Sequence, residues 1–174
     1  MIYALFGQVS CVVPYEVSGK SSTEVQVSYQ GQLSNSVAEP VAGVVPGIFT
    51  ASASGSGQGA IVNQDGTVNS ASNPAAVGSI VAVYATGEGQ TNPAGVDGKP
   101  DSTPPPQPVT QPVTATVGGL PAEVQYASGV SGLVAGVLQV NVQIPQGVTT
   151  GNTVPITVTI GGVTSQTTVT LAIH

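Results

Sequence analysis

An internal repeat is the sequence feature that most restricts how this chain can fold. The segment GQVSCVVP at residues 7–14 aligns with LQVNVQIP at residues 138–145, at a constant offset of 131 residues. The alignment continues without a gap through the segment that follows each copy. Upstream, Tyr3 matches Tyr126 if the next loop is longer in the second copy. We therefore expect two copies of one supersecondary unit.

Each copy continues into a predicted β-hairpin. Strict alternation of apolar and polar residues surrounds a two-residue turn in EVQVSY-QG-QLSNSV at 24–37 and in PITVTI-GG-VTSQTTVTL at 155–171. This pattern is typical of a hairpin with a tight turn. The second copy has two further segments, a predicted buried strand at 79–87 and a predicted hairpin at 113–127. The first copy contains only the last half of this plan.

These patterns predict an all-β fold of the immunoglobulin-like β-sandwich type. Val and Thr, which dominate the apolar and polar positions, fit a pleated sheet better than a helix, and Gly or Pro interrupts almost every stretch of twelve residues. About six strands with turn signals between them are typical of such a sandwich. We expect one complete copy at 79–174, preceded at 1–45 by a partial unit that lacks its first strands.

Two segments differ in composition from the predicted strands. Residues 46–78 are rich in Gly, Ser and Asn, and we expect a connector with a small hairpin whose type I′ turn is Asp65-Gly66. Residues 88–112 are rich in Pro and include PPPQP, which predicts an exposed loop with polyproline II character.

A partial sandwich has unpaired strand edges and an uncovered core face. We expect upstream residues, the segment 46–78 or a strand from another molecule to complete the first copy. Cys11 occupies an inward strand position, which predicts a buried thiol; in an open sandwich it is exposed and able to form an intermolecular bridge. The predicted assembly edge consists of Val9, Cys11, Val13, Val25, Val27 and Tyr29.

Charge and composition exclude several classes of function. The chain has two Lys and no Arg, so it cannot neutralise a run of phosphates or bind a membrane through a polybasic patch. Its apolar runs are too short for membrane insertion. With 6% charged residues, its surface changes little with pH, which favours an extracellular or cell-surface location. So few charges also do not keep molecules apart by repulsion, which favours self-association.

Catalytic and metal sites have little support in the sequence. No local pattern pairs the carboxylates as a glycosidase requires, and the one histidine is the terminal His174. Asp97 and Asp101, in GVDGKPDS, are weak calcium candidates. We expect no enzymatic activity and no cofactor. The carboxylates are Glu16, Glu24, Glu39, Asp65, Glu88, Asp97, Asp101 and Glu123.

Aromatic residues suggest a second class of function. An exposed row of tyrosines could stack on sugar rings, although we expect Tyr84 and Tyr126 to lie in or beside the second core. The tyrosines are Tyr3, Tyr15, Tyr29, Tyr84 and Tyr126. Polysaccharide is therefore a second candidate partner.

An ordered set of motifs resembles a known family. GIFT is followed by GQGAIVNQDGTVNSASNPAAVGS, YATGEGQTNPAGVDG, GLVAGVLQVNVQIP and GGVTSQ. This set resembles the uncharacterised C-terminal domain of long secreted acidobacterial proteins of the Solibacter type. The resemblance implies tandem immunoglobulin-like sandwiches at the end of an exported polypeptide, and it implies no reaction. The missing opening strands of the first copy depart from that plan and suggest a truncated or processed chain.

The sequence therefore predicts a non-catalytic extracellular structural module, either a stalk or a filament subunit completed by strand donation from a neighbour. The expected partners are further copies or neighbouring immunoglobulin-like domains, without nucleic acid. The alternative is a carbohydrate-binding or adhesion module of a larger secreted protein.

Overall fold

The computed structural model describes residues 3–101 and 109–174, and these residues confirm the all-β class. They contain no α-helix; the one helical element is a single 3-10 turn at Tyr15–Val17. Hence no helix in the described ranges is long and apolar enough to cross a membrane. The chain divides into two compact units, Met1–Gly43 and Val44–His174.

The first unit consists of short strands paired two by two. Three separate antiparallel pairs form, β1 with β2, β3 with β6 and β4 with β5. No residue of the described range 3–43 is buried, so this unit has no hydrophobic core of its own. Its strands are β1 Tyr3–Leu5, β2 Gln8–Ser10, β3 Ser22–Val25, β4 Ser28–Tyr29, β5 Gln32–Leu33 and β6 Val37–Pro40.

The second unit has two larger sheets. One has the order β13-β14-β10-β7, with β9 also paired to β10; the other has the order β12-β11-β15-β17-β8, with β16 paired to β15. All neighbours are antiparallel except β17 and β8. The strands are β7 Gly47–Ile48, β8 Gly57–Gln58, β9 Ile61–Asn63, β10 Ile80–Thr86, β11 Val113–Val117, β12 Leu120–Ala122, β13 Val124–Gly129, β14 Leu138–Gln143, β15 Gly151–Ile160, β16 Val163–Thr164 and β17 Val169–Ile173.

Alternate side chains of both sheets form one hydrophobic cluster. Successive side chains of a strand point to opposite faces, so every second residue is buried when one face is covered. In β10, Val81, Val83 and Ala85 are buried and alternate with half-buried neighbours. The same alternation in β14 and β15 adds their Val and Ile side chains to this cluster.

Residues 46–78 contribute β7, β8 and β9 to the sheets of the second unit. Two hydrogen-bonding amide side chains attach this segment to the C-terminal part of the chain. The side chain of Gln166 donates to the backbone oxygen of Ile48 at 2.7 Å and accepts from its N–H at 3.0 Å. The fully buried Asn69 makes the same pair of bonds to Ala172.

The small hairpin predicted within this segment is present, but its turn differs from the prediction. Asn63 and Thr67 close the turn through a backbone bond of 2.8 Å. Only Gly66 has a positive φ, of 85°, whereas a type I′ turn requires two consecutive residues with positive φ. The Asp65 side chain accepts hydrogen bonds from Thr67 and stabilises this longer turn instead.

The predicted Pro-rich loop is described only at its two ends. The isolated bridge between Thr91 and Val109 brings those ends together. The PPPQP motif at 104–108, predicted to have polyproline II character, lies outside the described residues.

Candidate functional site

The repeat found in the sequence is reproduced in the pairing of the strands. In the second unit, Thr159 pairs with Thr164 and Ile160 with Val163. In the first unit, the residues 131 positions earlier pair identically, Ser28 with Leu33 and Tyr29 with Gln32. The two hairpin tips therefore have the same register.

A serine after each hairpin tip makes the same hydrogen bonds. The N–H of Val158 donates to Ser165 Oγ at 3.1 Å, and the Ser165 N–H donates to the Val158 carbonyl at 2.9 Å. The equivalent residues Val27 and Ser34 make both bonds, at 3.0 and 2.9 Å. The bonds are buried in the second unit and exposed in the first.

The preceding strand pair is also equivalent. Tyr126 pairs with Asn141 between β13 and β14, and Tyr3 pairs with Ser10 between β1 and β2. The predicted match of Tyr3 with Tyr126 is thus reproduced in the pairing. The connection between the paired strands is longer in the second copy.

The outer strand of the hairpin shows a difference in length of one residue. Val154 pairs with Leu171 between β15 and β17. Between β3 and β6 the equivalent pair is Thr23 with Glu39, which requires one residue fewer after Ser34. This single deletion leaves the pairing pattern unchanged.

The strands β10 and β11, which flank the repeated strands of the second unit, have no counterpart in the described residues of the first. There, β14 lies between β13 and β10, and β15 lies between β11 and β17. The counterpart of β14 is β2, which is paired only with β1. The segment corresponding to the β11-paired part of β15 is 25–29, and no strand of the β11 type lies beside it. We call these two places the β2 edge, residues 8–13, and the β4 edge, residues 25–29.

The predicted assembly residues lie along these two edges and are exposed. Their counterparts Val140, Val142, Ile144, Ile156, Val158 and Ile160 are at most 1% exposed. The five apolar residues of the first unit are between 46% and 71% exposed; they are Val9, Val13, Val25, Val27 and Tyr29. The same sequence positions are therefore core in one copy and surface in the other.

Cys11 belongs to the β2 edge, and its thiol is exposed. The prediction of a buried thiol is wrong, because it took the position from Val142, whose side chain lies in the hydrophobic cluster shared by both sheets of the second unit. Since no residue of the described range 3–43 is buried, the open-sandwich alternative describes Cys11.

The weak calcium candidates are not brought together with other ligands. Asp97 is exposed and Asp101 is buried. Within 3–101 and 109–174, no group of three or more His, Cys, Asp or Glu side chains is placed to hold a metal ion. Burial raises the pKa of the Asp101 carboxyl. Hydrogen bonds from the Thr67 side chain and backbone lower the pKa of Asp65 on its exposed turn.

A shallow depression that sequence reasoning missed lies on the outward face of β13 and β14. It has a volume of about 290 Å³ and is lined by Tyr126, Gly129, Val130, Ser131, Gln139 and Asn141. The Nε2 of Gln139 donates to the Oδ1 of Asn141 at 2.8 Å. Tyr126 is 36% exposed, and neither it nor Tyr84 belongs to the hydrophobic cluster beside which both were predicted to lie. The alternation of β14, with Val inward and amides outward, is the signal that could have indicated this surface.

Comparison of the chain with protein-family models, with curated proteins and with solved structures finds no match. The resemblance to the acidobacterial domain therefore stays a prediction.

Proposed function

We propose that this chain is a non-catalytic structural module of the cell exterior, whose first unit is completed by β-strands of a neighbouring molecule. One observation carries the proposal: residues that are core in the second unit are exposed in the first, although the pairing registers of the two copies agree. A sequence that keeps the inward apolar pattern without burying it is expected where another chain covers it.

The type of β-fold that the second unit adopts is part of the same proposal. The two sheets of the second unit are proposed to form an immunoglobulin-like β-sandwich. This is supported by their shared hydrophobic cluster and by their antiparallel pairing, which are features of such sandwiches. The first unit is then the second half of such a sandwich.

Burial of apolar surface favours the addition of strands to the first unit. Fully burying a Val side chain stabilises by about 1.5–3 kcal/mol relative to leaving it exposed. The two edges expose four valines and one tyrosine. Their backbone donors and acceptors are a template for strand addition, since edge strands pair readily with extended segments.

The source of the added strand is proposed to be a separate molecule. Of the alternatives within the given sequence, the segment 46–78 already supplies β7, β8 and β9 to the second unit. The strands β10 and β11 are held in sheets of that unit and contribute to its core. The low charge of the surface also fails to keep copies apart.

Light scattering combined with electron microscopy of the same sample tests this function. We expect concentration-dependent oligomers or fibres for the native chain, and monomers for Val27→Asp, which places a charge on the β4 edge. The matched control is Val163→Asp, at a 44% exposed valine of the second unit, which should assemble like the native chain. A native chain that stays monomeric at all concentrations refutes the proposal.

A second candidate function, carbohydrate binding, is favoured by the depression beside Tyr126. An aromatic ring next to neutral amides suits a sugar, which has apolar ring faces and hydroxyl groups. The bond between Gln139 and Asn141 leaves the Oε1 of the first and the Nδ2 of the second as an unused acceptor and donor within this pair. The lining residues carry no charge, which favours a neutral saccharide.

Calorimetric titration with a panel of neutral oligosaccharides tests this candidate. Binding that Tyr126→Ala abolishes and Tyr29→Ala leaves intact supports it, since Tyr29 lies outside the depression. Absence of binding across the panel, or equal binding by both variants, refutes it.

A further inference from the structure

We propose that the β2 edge is occupied by an antiparallel strand of a neighbouring molecule that has the side-chain pattern of β10, with small aliphatic residues at alternate positions. This inference rests on the proposed function and specifies its partner. The second unit provides the template, because it contains the same strand with its neighbour in place.

The register of the occupant follows from the repeat. In the second unit, Val81 pairs with Val142 and Val83 pairs with Val140. Subtracting the offset of 131 from 142 and 140 places Cys11 opposite the residue equivalent to Val81, and Val9 opposite the residue equivalent to Val83. The occupant therefore runs antiparallel to β2 and presents two small aliphatic side chains to Cys11 and Val9.

The two faces of the occupant have different requirements. Val81, Val83 and Ala85 are 0% exposed in β10, so their equivalents must be small and apolar. Ala82 and Tyr84, which alternate with them, are only half-buried and tolerate polar replacements.

The occupant cannot be β10 of a second intact copy. That strand pairs with β14, β7 and β9, and its inward residues are fully buried. Withdrawing it would open the core of the donor molecule. The loss of stability would be comparable to that of several large-to-small core substitutions together. The partner is therefore a different extended segment with the same alternation.

The single cysteine of the chain makes the register measurable. Directly opposed residues of antiparallel strands have Cα atoms about 4.5–5.5 Å apart, which lies within the range a disulfide requires. We would use synthetic peptides of the β10 segment SIVAVYATG, residues 79–87, with lysines added at both ends for solubility. One peptide has Val81→Cys and the other has Ala82→Cys, each activated as a mixed disulfide with thionitrobenzoate.

Attack of the Cys11 thiolate on either peptide forms one disulfide and releases one thionitrobenzoate. The absorbance of the released thionitrobenzoate measures the rate. With the full 174-residue chain, we expect the Val81→Cys peptide to react at least about tenfold faster, because docking places its sulfur beside Cys11 at a high effective concentration. The Ala82→Cys peptide presents its sulfur on the opposite face. Equal rates for the two peptides overturn the inference.

A second measurement avoids engineered thiols. The unmodified peptide should slow maleimide labelling of Cys11, whereas a peptide with Val81→Asp and Val83→Asp should not. A peptide with Ala82→Ser and Tyr84→Ser, changed only on its outward face, should protect Cys11 like the unmodified one. Protection by the aspartate peptide, or by none of them, contradicts the proposed occupant.

The outcomes separate this inference from the proposed function. If the chain assembles through its edges but the peptides react equally, the function stands and the occupant is of another type. If the chain stays monomeric while the Val81→Cys peptide reacts faster, the proposed self-assembly fails and the assigned occupant stands. If the chain stays monomeric and the peptides also react equally, both proposals fail.

Discussion

Asn69 provides the sharpest test of how residues 46–78 are held in the second unit. Its fully buried side chain makes four hydrogen bonds, of 2.8–3.1 Å, to Gln58, Asn63 and the two backbone groups of Ala172. The Asn69→Ala substitution removes all four. The Ala172 carbonyl still accepts from the Ala75 N–H, so the Ala172 N–H is the backbone group left without a partner.

The magnitude follows from these bonds. Each hydrogen bond contributes about 1 kcal/mol net, and a buried donor left unsatisfied costs about 1–3 kcal/mol. Three lost bonds and one unsatisfied N–H therefore lower the expected free energy of unfolding of the second unit by about 4–6 kcal/mol in Asn69→Ala. Domains of this size have a total of about 5–15 kcal/mol, so the variant should lose a large part of its stability.

Urea unfolding followed by circular dichroism measures the effect. With a denaturant slope of about 2 kcal/mol per molar, the midpoint should fall by about 2–3 M. The matched control Asn152→Ala, at an exposed position of β15, should leave the midpoint nearly unchanged. A loss below about 1 kcal/mol for Asn69→Ala would show that the amide network does not anchor the segment.

Three further predictions use the same unfolding assay or its pH dependence. Ser165→Ala should destabilise the second unit by about 1–3 kcal/mol, because it leaves the buried Val158 N–H unsatisfied. Ser34→Ala should have little effect on unassembled chains, since water replaces the exposed bond. Equal losses for the two variants would contradict the difference in burial. Asp101 has a raised folded-state pKa, because burial disfavours its charged carboxylate. The resulting loss of stability is fully present above that pKa and disappears as the pH falls below the unfolded-state pKa. Asp101→Asn should therefore stabilise at pH 7 and have no effect near pH 3, and a destabilised variant at pH 7 would refute this. Asp65 has a lowered folded-state pKa, so Asp65→Asn should reduce stability at neutral pH, and the difference from the native chain should vanish as the pH falls through that pKa; a difference that grows in acid would refute it.

The hairpin registers were predictable because their causes are local. The turn at Gly161 and Gly162 has two consecutive positive φ angles, of 56° and 87°, which suit a two-residue hairpin turn. The first copy places Gln30 and Gly31 in the same conformation, with φ of 49° and 78°. A tight turn flanked by alternating residues determines which residues pair across it.

The candidate site was predictable only in part. All six residues of the assembly edge could be named from alternation, and the missing strands of the first copy predicted an uncovered face. The sequence left open what completes that face, because alternation does not reveal what covers a strand. The depression at Tyr126 was missed, since the pairing of Tyr126 with Asn141 brings together residues from separate strands.

The sequence alone determined the all-β class, the two copies of one unit and the inward face of each strand, because these depend on side-chain periodicity and turn chemistry over a few residues. Only the tertiary structure decided that 46–78 belongs to the sheets of the second unit, through bonds such as that from Asn69 to Ala172, which are 103 residues apart. It also decided that Cys11 is exposed while Val142 is core. Burial depends on which distant elements pack over a strand, and no local pattern contains those elements.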